Sequence, residues 1–203
     1  MPYSKSRNLK LKGVVSMIKL FTISKKGGNN GKDWNGANPQ KFFPFMHKEG
    51  VKTIWDVRRT PNGMYGSFFD TEIMKWCCAH DNIKFEWRLD LAPEKEVFTA
   101  CNAQNWDLLT YAKAYFTPQV IAALNKVENA QELDGVAILC AEQELYNCHR
   151  LLIAEYFKAK FPQEVSLNHL GLAYDRYGNE KNAVPYAVMH NTRIFIKKII
   201  ENN

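Results

Sequence analysis

The chain has 203 residues, 46% of them hydrophobic and 24% charged, with a net charge of +6. That length suits a single domain, and an aromatic content of 13% argues against an intrinsically disordered chain. No apolar run reaches the roughly 18 to 20 residues of a bilayer span, and five cysteines without a repeating spacing fit a reduced, cytoplasmic protein better than a disulfide framework.

The charge is unevenly placed. The first acid is Asp33, and eight basic residues precede it, so the rest of the chain carries a net charge of −2. The N-terminus is basic but lacks the apolar stretch and small-residue cleavage site of a secretory signal. It reads either as an arm that grips phosphates or as a solvated extension ahead of Met17. Residues 1–16 are therefore expected to form a flexible basic extension, and residues 17–203 one folded domain.

Residues 17–24, MIKLFTIS, are rich in β-formers and predict a strand. A Gly- and Asn-rich loop follows. Residues 40–48 predict a short helix ended by Gly50, with Pro44 as an irregularity inside it. Residues 51–57, VKTIWDV, predict a second strand, 71–80 a helix and 83–87 a third strand. Residues 106–115 and 118–127 predict two helices, with Thr117 as N-cap and Pro118 in the first helical position. Residues 135–140, GVAILC, are the clearest buried strand. Residues 148–161 are the clearest helix, because Ile153, Phe157 and Phe161 form one column at i, i+4 spacing and Cys148, Leu152 and Tyr156 another. A last strand is expected over 165–167 and a closing helix over 191–201. Strands alternating with helices imply parallel pairing through right-handed crossovers. The fold class expected is α/β, a three-layer sandwich with a mostly parallel, Rossmann-like sheet of about five strands.

Open parallel sheets bind ligands beyond the carboxyl ends of their strands. Two such ends carry unusual residues. One is Asp56-Val57-Arg58-Arg59, followed by Thr60-Pro61. The other is Cys140-Ala141-Glu142, followed after five residues by Cys148-His149-Arg150. In the second, Asn147 is placed to cap the next helix, and backbone N–H groups together with Arg150 make an anion site. Plainer roles exist for every member. Cys140 and Cys148 suit small buried hydrophobes, His149 a hydrogen-bonded core position, and Arg150 with Glu142 an internal salt bridge. At the first end Asp56 can order a loop, hold Arg58 or act as a base. The loop over 60–69 places aromatics beside arginine, as base stacking requires, unless Phe68 and Phe69 dock into the core.

These segments resemble the family catalogued as domain of unknown function 488. The resemblance rests on a first strand read here as Met17-Ile-Lys-Leu-Phe-Thr-Ile, on Trp55-Asp-Val-Arg-Arg-Thr-Pro, and on Leu139-Cys-Ala-Glu-x5-Cys-His-Arg-Leu-Leu-Ile-Ala. It implies an α/β fold and a shared site at Asp56, Arg58, Pro61, Cys140, Glu142, Cys148, His149 and Arg150. The first strand departs from the family pattern, with Ser24-Lys25 where Gly-His is usual. The resemblance supplies no activity.

Glycine-rich nucleotide loops are absent, so no dinucleotide or P-loop site is expected. A phosphatase-type loop fails because Tyr146 stands where its arginine belongs. Glu142 beside the Cys140 thiol is expected to oppose thiolate formation. Cys77-Cys78-x-His80 with Cys148-His149 matches no zinc template, and neither a metal nor a cofactor is expected. The leading functional expectation is an enzyme acting on a nucleotide, nucleoside or nucleic acid. Asp56 and Glu142 would be its acid, base or nucleophile, and Arg58, His149 and Arg150 would bind phosphate, with Cys148 heading the helix. The alternatives are a non-catalytic nucleotide or nucleic-acid binding module and a thiol enzyme using Cys140. No membrane partner is expected.

Overall fold

The computed structural model describes residues 17–25, 27, 34, 38–61, 68–142, 145, 148–172 and 183–203. Five strands form one parallel sheet: β1 (Ile18–Ser24), β2 (Thr53–Asp56), β3 (Lys84–Trp87), β4 (Val136–Cys140) and β5 (Val165–His169). Their order is β3-β2-β4-β1-β5. Pairing Ser24 with Cys140 and Asp56 with Leu139 brings the carboxyl ends of β1, β4 and β2 level at one edge. The expected α/β architecture is thus present, and every strand pair is parallel.

The period-2 alternation of the strands sorts the core into two faces. Phe21, Ile23, Ile54, Ala137 and Leu139 pack against Phe42, Phe43 and Met46 of helix α1 (Pro39–Glu49) and Met74 and Cys78 of α2 (Thr71–His80). Leu20, Trp55, Val136, Ile138 and Cys140 face the other way. They meet α4 (Leu108–Tyr115), α5 (Pro118–Asn125) and α6 (His149–Lys160). β4 is buried along its whole length, so its sequence is apolar throughout rather than alternating.

Local signals fix the helix ends. The Asn38 side chain accepts from the Lys41 N–H, Pro39 opens α1, and Gly50 closes it at φ 90°. Pro44 lies on the exposed side of α1 and forgoes one intrahelical bond. Thr117 accepts from the Val120 N–H ahead of Pro118, as its sequence predicts.

Two differences from the sequence reading matter. Helix α3 (Lys95–Gln104) lies where no helix was expected. The closing helix α7 begins at Tyr186, after Pro185, and runs to Glu201. The buried Glu155 carboxylate of α6 accepts two hydrogen bonds from Arg193 of α7, at 2.7 and 2.6 Å, which fixes the last helix to the body. The basic stretch 1–16 lies outside the described residues.

Candidate active site

Neighbouring strands β2 and β4 send their chains to opposite faces: β2 leads to α2 on one side, β4 to α6 on the other. That divergence opens a crevice at the carboxyl edge of the sheet. The crevice is a cleft of about 450 Å³, lined by Arg58, Arg59, Lys95, Phe98, Cys140, Glu142 and His149 among others. Its size falls within the roughly 300–1,000 Å³ usual for small-molecule sites. Both strand ends singled out in the sequence meet here.

From β4 comes Cys140, 2% exposed. Its Sγ lies 2.9 Å from Glu142 Oε2 and 3.9 Å from each ring nitrogen of His149. His149 opens α6, and its Nε2 lies 2.9 Å from the Val57 carbonyl oxygen at the end of β2. A carbonyl only accepts, so Nε2 carries a proton and donates. That bond orients the ring across the crevice. Tyr115 flanks the same ring with centroids 5.9 Å apart.

Burial alone would push the Cys140 thiol up. The hydrogen bond from Cys148 and the positive charges of His149 and Arg150 outweigh it and hold Cys140 well below the ordinary thiol range. For His149, burial works against the charged ring, but the Cys140 thiolate beside it prevails and raises its affinity for a proton. Burial, and then the Cys140 thiolate, push the Glu142 carboxyl up to about 7. The group therefore favours a thiolate–imidazolium pair, with the Glu142 carboxyl in hydrogen-bond contact with the sulfur. The thiolate and the Glu142 carboxylate disfavour each other, as the sequence led one to expect, and that repulsion adds to burial in raising the carboxyl.

Cys148 is the N-cap residue of α6 but makes no capping hydrogen bond. Its Sγ instead accepts from Arg150 Nη1 at 3.0 Å. The same Arg150 nitrogen donates to the Glu142 backbone oxygen at 2.6 Å. The salt bridge considered for Arg150 and Glu142 is thus a bond to the main chain, and Arg150 braces the turn after β4 from behind. Asn147, the expected cap, lies outside the described residues.

At the end of β2, Asp56 is fully buried. Its two carboxylate oxygens accept from Arg58 Nε at 2.8 Å and Nη2 at 2.5 Å, and Oδ1 also accepts from the Arg58 backbone N–H. Arg58 Nη2 donates further to the Phe69 carbonyl. Arg58 Nη1 is buried and has no hydrogen-bond partner among the described residues. Asp56 does not line the cleft; it aims Arg58, which does. Phe68 and Phe69 are buried against α1, so the described aromatics of that loop belong to the core. Residues 62–67 lie outside the described residues.

Sequence reasoning named Arg59 without giving it a role, and missed Lys95 and Phe98. Arg59 Nε donates to the Pro93 carbonyl at 2.6 Å, tying the β2 end to the entry of α3. Lys95 and Phe98 come from α3 itself, which was not expected. The signal available was Pro93-Glu94-Lys95-Glu96, a proline and acids ahead of a helical turn. The grouping of Cys77, Cys78 and His80 with Cys148 and His149 does not form: Cys77 and Cys78 belong to the core cluster on one face of the sheet and Cys148 to the cluster on the other. Donor atoms of Cys140, Cys148 and His149 do lie within 4.8 Å of one another, a separation one metal ion could bridge.

The model of the family described as domain of unknown function DUF488 matches residues 38–157. The chain belongs to the DUF488 family. The matched stretch holds both the Asp56-Val57-Arg58 and the Cys140-x-Glu142…Cys148-His149-Arg150 segments, and it leaves out the first strand. No curated protein and no solved structure matches the chain. Among the described residues no helix is long and apolar enough to cross a membrane.

Proposed function

We propose that this DUF488 protein is an enzyme that attacks a small anionic substrate with the Cys140 thiolate. One observation carries the reading: the Cys140 sulfur sits between the Glu142 carboxyl and the His149 ring at the floor of a cleft walled by Arg58, Arg59 and Lys95. A cysteine paired with an oriented histidine is the arrangement that activates a thiol nucleophile. Glu142, with its pKa near 7, is matched to deliver a proton to a leaving group. Arg58 and Lys95 supply positive charge for a phosphate or carboxylate, and a nucleotide is of the right size for the cleft. In this reading Asp56 is a positioning residue for Arg58.

The test is selective alkylation followed by turnover. Iodoacetamide is expected to label Cys140 below neutral pH, where the ordinary thiol is protonated. Turnover is then sought across nucleosides, nucleotides and oligonucleotides, and Cys140→Ser is expected to abolish it. Activity retained in that variant overturns the proposal.

A second reading, a non-catalytic binding module for a nucleotide or nucleic acid, is favoured by Phe98. The residue is 37% exposed and lines the cleft with Arg59 and Lys95, a setting suited to base stacking next to phosphate. Trp87, whose indole N–H donates to the Arg58 carbonyl at 2.9 Å, offers a fluorescence signal for that binding. Saturable quenching without turnover favours this reading over the first.

A further inference from the structure

We propose that Cys148 is the resolving thiol of Cys140, so that a hydroperoxide oxidises the pair to a disulfide and an external dithiol, itself oxidised to a disulfide, returns it to two thiols. The inference rests on the reading of Cys140 as the nucleophile and adds to it an activity and a second catalytic residue. Cys148 occupies a helix N-cap, where Ser, Thr, Asp or Asn would bond the first turn, yet it makes no such bond. Its sulfur lies within 4.8 Å of the Cys140 sulfur. Cys148 is 1% exposed and does not line the cleft, so its thiol meets Cys140 rather than a cleft-bound substrate. Burial and the hydrogen bond to Cys140 hold the Cys148 thiol protonated beside the Cys140 thiolate; once Cys140 is a sulfenic acid that negative neighbour is gone, and Arg150 Nη1, 3.0 Å from the Cys148 sulfur, favours loss of the proton.

The chemistry balances in two steps. The Cys140 thiolate attacks one oxygen of the hydroperoxide. A sulfur–oxygen bond forms, the oxygen–oxygen bond breaks, and the departing alkoxide or hydroxide takes the Glu142 proton and leaves as an alcohol or water. Cys140 is now a sulfenic acid, oxidised by two electrons. Cys148 then attacks the Cys140 sulfur, the sulfur–sulfur bond forms, the sulfur–oxygen bond breaks, and the hydroxide leaves as water with the Cys148 proton.

The experiment treats the reduced full-length chain with one equivalent of hydrogen peroxide. No lysine or arginine lies between Lys126 and Arg150, so Cys140 and Cys148 share one tryptic peptide, 127–150. That peptide is expected to become lighter by two hydrogens, with two of the five thiols lost and both recovered with dithiothreitol. Cys148→Ser keeps a good capping residue, and Cys148→Ala serves as a second variant. Both are expected to stop at a Cys140 sulfenic acid that dimedone captures. Wild-type protein that accumulates Cys140 sulfenic or sulfinic acid with no bridge overturns the role of Cys148 and leaves Cys140 as nucleophile. Cys140 reacting no faster than Cys101 overturns both readings. So does one equivalent of zinc held by the reduced chain with both thiols protected, which would make the trio a metal site.

Discussion

Around Cys140 the question is where two protons reside among a thiol, a carboxyl and an imidazole. Glu142 titrates near 7 in the folded chain against an ordinary 4.5. Its protonated form is the one the fold prefers, so its contribution to stability is intact below about pH 4.5 and is lost as pH rises through about 7. Glu142→Gln removes that loss. Thermal melts at about pH 5 and about pH 8 should show the variant gaining on the wild type at the higher pH. A difference independent of pH would contradict the assignment. The same substitution removes the acid, and turnover should fall by about 100-fold or more. His169, at the end of β5, behaves in the opposite sense. Burial chiefly, with Arg150 and Arg193 adding to it and Glu155 opposing, lowers its pKa to about 4. The Thr22 hydroxyl lies within hydrogen-bond distance of its Nδ1, at 2.8 Å. The stability this neutral histidine contributes is present above about pH 6.5 and is lost as pH falls toward about 4. His169→Asn should flatten that acid limb in urea denaturation compared with the wild type.

Among the elements, the turns separate conformational strain from steric contact. Gly50 closes α1 at φ 90° with open space around its missing Cβ. Gly135 precedes β4 at φ 78°, and a Cβ there would stand 2.7 Å from Lys52 Cγ and 2.9 Å from the Gly50 carbonyl oxygen. Gly50→Ala should cost about 1 kcal/mol from conformation alone. Gly135→Ala should cost more, about 2 kcal/mol or above, because the neighbouring backbone must also move. Urea melts of the two variants check the order, and equal losses would refute it. Most elements were legible because a cap or a period marks them: Asn38 and Pro39 ahead of α1, Thr117 and Pro118 ahead of α5, the unbroken apolar run of β4. Helix α3 was not, because it buries only Cys101, and its apolar face is the single i, i+4 pair Val97 and Cys101. α7 was read five residues late, because a tyrosine after Pro185 does not announce a helix start.

At the scale of the molecule, residues 1–16 carry four basic residues and no acid. Deleting residues 1–16 removes four cations and no acid, so the net charge falls from +6 to +2. Because β1 opens at Ile18, the deletion should leave the melting temperature unchanged. If the extension grips a phosphate backbone, oligonucleotide affinity should fall and its salt slope should shrink by up to about 3 to 4. A large loss of thermal stability would show the extension to be packed structure. The site was half legible for a related reason. Its two motifs could be read as strand ends, but the register that sets them side by side comes from β4 inserting between β2 and β1, which no local pattern encodes. Holding Arg58 was one of three roles the sequence left open to Asp56, and the paired hydrogen bonds select it. That insertion has a kinetic consequence. The bond from His149 to Val57 closes a separation of 92 residues, and contacts that distant form late because the chain entropy must be lost first. A chain in which β4 has paired with β1 but not yet with β2 would hold the thiol without the Val57 carbonyl that orients His149 beside it. During refolding, then, iodoacetamide labelling of Cys140 at low pH acts as a clock that starts only when the two halves of the sheet have docked.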